Sequence, residues 1–396
     1  MALDEKTLSQ LLEAAVADSP SLDDLGFSAA LQLGQRDKLP ASLQALFAYI
    51  DATPELALFR GGTYFLAGSG GTASPDRLIV FLLMRAVNES PAVAVTYLKR
   101  YLAATEIPCI RRTIMMGVVA GAPVNLNANT RFIPWGQYQD DGDPILKQES
   151  DRLNANYGFA RPTGVLDARI TIPTVHVAAG VPVPEVKLPD ETSDARAPVM
   201  ALQLVCPNAV FGPITWHHFP RWVFGAPSGT RYFQPLPDRT GFHKLTDEDI
   251  AEAQALHGKL AALPPSALDP LWPAVHRLSL AQSHMQPVED AIDLRVAYEM
   301  TFFFGDDGGY QGELKFRLAM LAARLLGKTY AEREEISAVG NDLYDMSSGA
   351  IHAGRIKQKY AKNAHEVLGR GAAVVRKGLK HIVLNGAPDW KRLLLE

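Results

Sequence analysis

The last third of the chain carries repeated apolar stripes, and this feature constrains the fold more than any other. From residue 246 onward, apolar side chains recur every three or four residues, so they share one face of successive helices. Thr246 followed by Asp249 has the spacing of a helix-capping box and marks the start. The predicted helices are 288–304, 314–325, 336–350 and 356–384, with glycine-containing turns such as 305–309 between them. Four amphipathic helices with short connections predict an antiparallel bundle over residues 246–396.

Residues 106–245 follow a different pattern. Short runs rich in β-branched and aromatic residues alternate with prolines, glycines and asparagines, which predicts a β-rich domain. The predicted strands are 113–119, 131–135, 170–177 and 199–205. Residues 216–222 of this stretch read Trp-His-His-Phe-Pro-Arg-Trp. We interpret them as a packed corner of the sheet, with a base-stacking platform or half of a metal site as the alternatives.

Residues 1–105 are predicted to be helical, because apolar residues again recur at helical spacing from Leu8 and from Leu43. A glycine-rich segment, 61–72, interrupts this pattern. It lacks the Gly-Lys-Ser/Thr sequence of a phosphate-binding loop, so we interpret it as a glycine turn. The predicted fold class is therefore α+β and multidomain: a helical N-terminal region (1–105), a β-rich middle domain (106–245) and a C-terminal helical bundle (246–396).

Composition excludes several classes of protein. The longest strongly apolar run, 78–84, is far shorter than the ~20 residues that cross a bilayer, so we predict no membrane span. The first residues lack the pattern of a signal peptide, which predicts a cytoplasmic protein. Two cysteines in 396 residues exclude a disulfide scaffold, and we expect Cys109 and Cys206 to be unpaired.

Charge is unevenly distributed along the chain. Residues 351–396 hold ten Lys and Arg against three Asp and Glu, although the net charge of the whole chain is -4. A basic end on an acidic chain is typical of a surface that binds a polyanion. The alternative is a solvated helix face with ordinary lysines, and charge alone does not separate the two.

One candidate site remains after the common enzyme signatures are excluded. The chain has no Gly-x-Ser-x-Gly, His-Glu-x-x-His or Cys-x-x-Cys sequence. On a helical wheel, His352 falls opposite the apolar stripe of 336–350 and so lies outside the core. Its polar neighbours on that face are Asn341, Asp345 and Ser348, and Arg355 joins them if the helix continues past Gly354. A solvated helix surface with no function is the alternative interpretation.

The same stretch carries a resemblance to a known family. The matching residues, in order along the chain, are Ala-Tyr-Glu at 297–299, Glu-Leu-Lys-Phe-Arg at 313–317, Ala-Ala-Arg-Leu-Leu-Gly at 322–327, Leu-Tyr-Asp at 343–345, Ile-His-Ala-Gly at 351–354 and Arg-Lys-Gly-Leu at 376–379. With these motifs, residues 288–384 resemble the Apea-like branch of the HEPN superfamily. The resemblance implies an α-helical bundle from a prokaryotic defence, toxin–antitoxin or RNA-processing system.

The resemblance also implies a mechanism and partners. In active members, two subunits pair around a basic cleft and cleave RNA without a metal ion, through attack of the ribose 2′-hydroxyl on the adjacent phosphate. His352 would then be the general acid or base, since imidazole exchanges protons near neutral pH. Asn341, Asp345 and Ser348 would orient it or the substrate. The implied partners are RNA, a second copy of the chain and an antitoxin or defence-system protein; no metal or cofactor is implied.

The sequence departs from the family pattern at one position. Ser347 stands five residues before His352, where active members have arginine, and Ser348 follows it. Serine cannot supply the cation that stabilises a phosphate transition state. The resemblance implies that Ser347 opens towards the dimer cleft near His352, so we expect weak or absent cleavage by the wild type and stronger cleavage by Ser347→Arg. The residues expected to replace the cation and bind RNA are Arg355, Arg317, Arg376 and Lys377.

Three functions stay open at this point. The first is a HEPN endoribonuclease that uses His352 and a displaced arginine. The second is a non-catalytic HEPN protein that binds RNA, nucleotides or a partner protein through its helices. The third is an enzyme with its site in the middle domain near His217 and His218, in which the helical bundle only dimerises the chain.

Overall fold

The chain forms two compact units. The computed structural model describes residues 3–18, 36–66, 69–138, 149, 151, 161–182, 191–226, 231–232, 237, 241–305 and 314–395. It is an α+β structure with a sheet in the middle of the sequence and helices at the C-terminal end. Unit 1 comprises Met1–Ile110, Arg169–Pro189 and His217–Gly229, and unit 2 comprises Arg111–Ala168, Asp190–Trp216 and Thr230–Glu396. The two units interleave along the chain, whereas we predicted three consecutive domains.

Helices supply most of the regular structure in the described residues. They are α1 (Glu5–Asp18), α2 (Ala41–Ala52), α3 (Pro75–Asn88), α4 (Pro91–Ala103), α5 (Glu191–Val205), α6 (Asp247–Ala262), α7 (Pro265–Leu280), α8 (Pro287–Phe302), α9 (Leu314–Leu326), α10 (Tyr330–Ala353), α11 (Ala364–Asn385) and α12 (Trp390–Leu395). The strands are β1 (Gly62–Leu66), β2 (Ser69–Ala73), β3 (Glu106–Met116), β4 (Val118–Val119), β5 (Val124–Asn125), β6 (Thr130–Pro134), β7 (Pro162–Pro173), β8 (Val175–Val177), β9 (Phe211–His218), β10 (Arg231–Tyr232) and β11 (His243–Lys244).

Unit 1 contains helices α1 to α4, and the local sequence explains where two of them begin. Ser74 and Ser90 each precede a proline at the first helical position, and each hydroxyl accepts a hydrogen bond from a backbone N–H three residues later. The helices bury their apolar faces in a common core. Its fully buried members include Leu8, Leu46, Phe59, Leu82 and Leu98.

The glycine-rich segment of unit 1 forms two paired strands, which corrects the prediction of a simple turn. β1 and β2 are antiparallel, with Gly62 opposite Ala73, and β8 pairs with the other edge of β1. A Cβ atom on Gly71 would lie 2.5 Å from the hydroxyl oxygen of Tyr64. Close packing under an aromatic ring therefore accounts for a glycine in this strand.

The middle of the chain supplies a six-stranded sheet in the order β10-β9-β3-β7-β6-β5. β6 and β7 are antiparallel, with Phe132 opposite Leu166. Three predicted strands overlap observed ones: 113–119 covers the end of β3 and β4, 131–135 covers most of β6, and 170–177 covers the end of β7 and β8, which belongs to the β2-β1-β8 sheet. The fourth, 199–205, is wrong, because these residues form the second half of α5. All of them are buried and all but Gln203 are apolar, so the run shows no period that separates a helix from a strand.

The C-terminal part of unit 2 is helical, as the apolar stripes predicted. Thr246 caps α6, and its reciprocal contact with Asp249 completes the capping box. α8, α9 and α10 correspond to the predicted helices 288–304, 314–325 and 336–350. The fourth predicted helix starts too early, because Gln358–Tyr360 form a short 3-10 turn and α11 begins at Ala364.

Parts of two predicted features lie outside the described residues. In the predicted turn 305–309, Gly305 has a φ of 73°, which glycine adopts without strain. Residues 306–309 of that turn are not described, and neither is Glu313, the first residue of a motif that carries the family resemblance. The motif residues from Leu314 onward form the first turn of α9.

α10 packs against α8, α9 and α11, and this packing positions the candidate site. The buried side of α10 includes Leu343, Met346 and Ala350. α5 belongs to the same hydrophobic cluster through residues such as Leu202, and it packs on α6 and α7. The core of the C-terminal helices therefore includes a helix from outside residues 246–396.

Two expectations from composition concern membranes and cysteines. Within the residues that the structure describes, no helix combines the length and the apolar character required to cross a bilayer. Cys109 and Cys206 are both buried and free of disulfides, in agreement with the prediction. Burial raises the pKa of the Cys206 thiol to about 12, so this thiol stays protonated at neutral pH.

Candidate functional site

The candidate site lies at the C-terminal end of α10. Gly354 ends this helix in the left-handed conformation, with a φ of 61°, and its N–H donates to the Ala350 carbonyl oxygen at 3.0 Å. Because the helix stops there, Arg355 belongs to the following loop and not to the polar face of α10. We call residues 355–363 the α10–α11 loop.

The end of α10 and the α10–α11 loop line a surface groove of about 740 Å³. The lining residues are Ser348, Gly349, His352, Ala353, Arg355, Ile356, Lys357, Gln358 and Ala361. Two of these side chains are cationic, one is a histidine and none is acidic. The groove therefore offers positive charge and hydrogen-bond donors together with some apolar surface.

His352 is exposed, which confirms that it lies outside the core, as the helical wheel predicted. Leu343, Met346 and Ala350 are buried on the other side of the helix. Ser348 precedes His352 by one helical turn and lines the same groove. His352 and Ser348 therefore share one accessible face at the end of α10.

Asn341 and Asp345 are on the same helix but away from His352. With a rise of about 1.5 Å per residue, Asn341 lies about 16 Å and Asp345 about 10 Å from His352 along the helix axis. Both are half-buried, and neither lines the groove. The geometry therefore does not bring them to His352, which they were expected to orient.

Asp345 is instead the centre of an ion-pair cluster with the α10–α11 loop. Its carboxylate accepts a hydrogen bond from the Lys357 ammonium and pairs with the Lys359 ammonium at 2.5 Å. The Tyr360 hydroxyl donates to Asp342 at 2.9 Å and lies 3.3 Å from Asp345 Oδ2. The hydrogen bonds from Lys357 and then Lys359 hold the pKa of Asp345 well below its usual range. Burial raises the pKa of Tyr360 to about 12, so its hydroxyl remains a donor at neutral pH.

Ser347 faces the core. It is fully buried, and its hydroxyl donates to the Tyr344 carbonyl oxygen of the same helix at 3.1 Å. The prediction that Ser347 opens towards a cleft is therefore wrong. Its position in the sequence explains this, because it comes four residues after Leu343 and three before Ala350 and so lies on the apolar stripe.

Arg376, one of the predicted phosphate ligands, is also buried. Its guanidinium donates to the Pro207 carbonyl oxygen at 3.2 Å and to the Gln282 side-chain oxygen at 2.9 Å. Burial lowers its pKa to about 10, which still leaves it charged at neutral pH. Arg376 stands four residues after Ala372 and three before Leu379, again on an apolar stripe. It connects parts of unit 2 and is out of reach of a phosphate.

The other two predicted cations lie outside the groove. Arg317 is half-buried at the start of α9, with its guanidinium 5.1 Å from the centre of the Phe303 ring. Lys377 is exposed on α11. Neither lines the groove, so Arg355 is the predicted cation that the structure brings together with His352.

The aromatic segment 216–222 is largely packed. Its buried side chains are Trp216, Phe219 and Trp222, while His217 and His218 are half-buried. The Arg100 guanidinium lies 4.4 Å from the centre of the Trp222 ring. This agrees with the packed-corner interpretation. Within the described parts of the chain, no group of three or more His, Cys, Asp or Glu side chains could hold a metal ion.

Six residues of the groove were not predicted as site residues: Gly349, Ala353, Ile356, Lys357, Gln358 and Ala361. The alternating cations that follow Gly354 in the sequence were the available signal for the lysine. Gly349 has no such signal. A Cβ atom there would lie 3.0 Å from Lys357 Cγ and 3.1 Å from the Arg355 carbonyl oxygen. Glycine at this position lets the loop lie directly against α10, which only the folded chain reveals.

Comparisons of the chain with models of protein families, with curated proteins and with solved structures found no match. The resemblance of residues 288–384 to Apea-like HEPN proteins therefore stays a prediction.

Proposed function

We propose that the chain is a HEPN-type protein that binds RNA in the groove at the end of α10. The main support is that His352 lines this groove together with Arg355 and Lys357, while no acidic side chain does. An RNA backbone carries one negative charge per phosphate, and a groove whose lining carries cations and no carboxylate attracts it.

The side chains of the groove have complementary roles in this proposal. Arg355 is exposed and offers a planar fork of donors, which binds phosphate oxygens in pairs. Lys357 adds a compact charge, and Ser348 and Gln358 add hydrogen-bonding groups. Ile356 supplies apolar surface for a ribose or the face of a base. A volume of about 740 Å³ lies in the range of ligand-binding pockets.

His352 gives the groove the residue type that metal-independent cleavage needs. An imidazole can take the proton of the 2′-hydroxyl or donate a proton to the leaving 5′-oxygen, and Arg355 would stabilise the charge that develops on the phosphate. One histidine cannot act as base and acid in the same step. A homodimer that brings two copies of His352 to one RNA would supply both.

Non-catalytic RNA binding is the second candidate function. Serine at position 347 favours it, because α10 has no cation where active HEPN members carry arginine. In both cases the proposed partners are RNA and a second copy of the chain. An antitoxin or defence-system protein remains an expectation from the resemblance.

Fluorescence anisotropy with a labelled single-stranded RNA of mixed sequence tests the binding. We expect the wild type to bind with an affinity that falls as salt rises, and Arg355→Ala to weaken binding about tenfold. Arg370→Ala is the matched control, because Arg370 is also exposed but does not line the groove. Equal losses in the two variants, or no wild-type binding at low salt, would refute the proposal.

Incubation with labelled RNA in EDTA separates the two candidate functions. Metal-free cleavage that disappears in His352→Ala supports the ribonuclease. Binding without cleavage supports the non-catalytic protein. Sedimentation at tens of micromolar tests the homodimer, and a strict monomer would count against it.

A further inference from the structure

Asp345 holds a carboxylate close to a groove that we propose binds a polyanion, and charge alone makes this arrangement unfavourable. We infer that Asp345 is a positioning residue: it holds the Lys357 ammonium at the groove, ready to bind an RNA phosphate. The inference rests on the proposed RNA binding and adds the residue that organises the binding cation.

Lys357 connects Asp345 to the groove. It lines the groove, and its ammonium donates a hydrogen bond to Asp345 Oδ1. An ammonium group has three N–H donors, so the contact with Asp345 leaves donors for a phosphate. The Lys357 side chain is 43% exposed, which keeps it accessible to a ligand.

Besides the contacts of Asp345 with Lys359 and Tyr360, two further contacts fix the backbone of the α10–α11 loop on either side of Lys357. On one side, the absence of a side chain at Gly349 lets the loop lie against α10. On the other side, Tyr360 is buried, and its hydroxyl donates to Asp342 at 2.9 Å. The loop is therefore held in place by its own packing, and Asp345 adds control over the direction of the Lys357 side chain.

Holding a lysine before the ligand arrives favours binding. A free lysine samples many rotamers and loses this freedom when it binds a phosphate. A lysine that Asp345 already holds has lost much of its rotamer freedom on folding, so binding a phosphate costs less conformational entropy. Lys359 pairs with Asp345 as well and does not line the groove, so it offsets the negative charge that Asp345 brings.

Positioning and charge predict opposite results when the Asp345 carboxylate is removed. By charge alone, a groove that loses a neighbouring anion binds RNA more tightly. If Asp345 positions Lys357, the same change weakens RNA binding although the site becomes more positive. The sign of the change therefore separates the two roles.

The test compares Asp345→Asn with Asp342→Asn in the full chain. Both variants remove one negative charge from α10, at positions three residues apart. Both carboxylates contact the Tyr360 hydroxyl, but only Asp345 also pairs with the two lysines. In anisotropy titrations with labelled single-stranded RNA at several salt concentrations, we expect Asp345→Asn to weaken binding about fivefold. We expect Asp342→Asn to leave binding unchanged or to tighten it.

A double-mutant cycle shows whether Asp345 acts through Lys357. In a Lys357→Gln background, Asp345→Asn should no longer weaken binding, whereas general damage to the fold would weaken it in both backgrounds. Thermal unfolding followed by circular dichroism checks each variant. If Asp345→Asn does not fold, Asp345→Glu replaces it, because it keeps the charge and moves the carboxylate; weaker binding is again the expected result.

Tighter binding by Asp345→Asn, to the same degree as by Asp342→Asn, would overturn the inference and leave the proposed RNA binding intact. Weakening that persists in the Lys357→Gln background would overturn it as well. An absence of RNA binding by the wild type would remove the proposed function, and the inference with it.

Discussion

Arg355 and Arg376 belong to the same basic C-terminal segment but differ in every respect except charge. Arg355 follows the end of α10, is exposed and lines the groove. Arg376 lies inside unit 2, where its guanidinium donates to two oxygen acceptors from other segments. Net charge counts the two residues equally. Their position relative to an apolar stripe decides which one can meet a phosphate and which one holds the fold together.

The largest effect is expected for Ser347→Arg, which would place a new arginine in a buried environment like that of Arg376. Ser347 is fully buried on the apolar side of α10, so the variant overpacks the core and buries a charge. We expect a loss of about 4 kcal/mol or more in the free energy of unfolding, measured with urea, and no gain of RNA cleavage.

Ser348→Arg is the control for that variant. Ser348 is the next residue, is half-buried and lines the groove, so an arginine there can reach water. We expect it to change the free energy of unfolding by less than about 1 kcal/mol. Equal stability of Ser347→Arg and the wild type would mean that a side chain at this position can leave the core.

Arg376→Met should give the next largest effect, on stability and not on RNA binding. Methionine fills a similar space but donates no hydrogen bond, which leaves the Pro207 and Gln282 oxygens without this donor. We expect a loss of about 2–3 kcal/mol in urea unfolding. Lys377→Met, at the exposed neighbouring position, should change stability by less than about 0.5 kcal/mol. If Arg376→Met is as stable as the wild type but binds RNA more weakly, Arg376 serves RNA binding and not the fold.

Arg355→Ala should show the converse behaviour. The expected tenfold loss of RNA affinity corresponds to about 1.4 kcal/mol, while the free energy of unfolding should change by less than about 0.5 kcal/mol. Parallel RNA titrations and urea unfolding of the same preparation measure both quantities. A large loss of stability would show that Arg355, like Arg376, serves the fold.

The smallest expected effect is a pH dependence of the Asp345 cluster. The pKa of Asp345 is lower in the folded chain than in the unfolded chain, where it is about 3.9. Its stabilising contribution is therefore complete above that pH and is lost as the pH falls towards the lowered value. The partner lysines are exposed, so we expect about 1 kcal/mol or less. Urea unfolding at pH 7, 5 and 3 should show the wild type losing its advantage over Asp345→Asn; a constant difference would contradict this.

Local signals in the sequence predicted much of the helical structure. Thr246 and Asp249 are three residues apart and form a capping box without help from distant residues. The stripe of α10 likewise located its buried face and placed His352 outside the core. Ser347 and Arg376 obey the same periodicity, so their burial was also predictable from the apolar residues three and four positions away.

Contacts between distant residues were not predictable in this way. Residues 199–205 are apolar apart from Gln203 and show no helical period, and their helix became evident only from the folded chain. The pairing of Asp345 with Lys357 depends on the turn at Gly354 and on the loop lying against Gly349. Sequence spacing gives the ends of such a loop but not its path.

The core of unit 2 includes α5, which precedes the other helices of that core in the chain and lies outside residues 246–396. The apolar stripes suggest a fragment that begins at residue 246. Such a fragment would contain α6 to α12 but lack α5. The apolar sides of α6 and α7 that α5 covers would then face water, and such surfaces promote aggregation. Toxicity or RNA affinity measured on that fragment would describe a protein with an incomplete core. Truncation studies of the groove therefore need a fragment that includes α5.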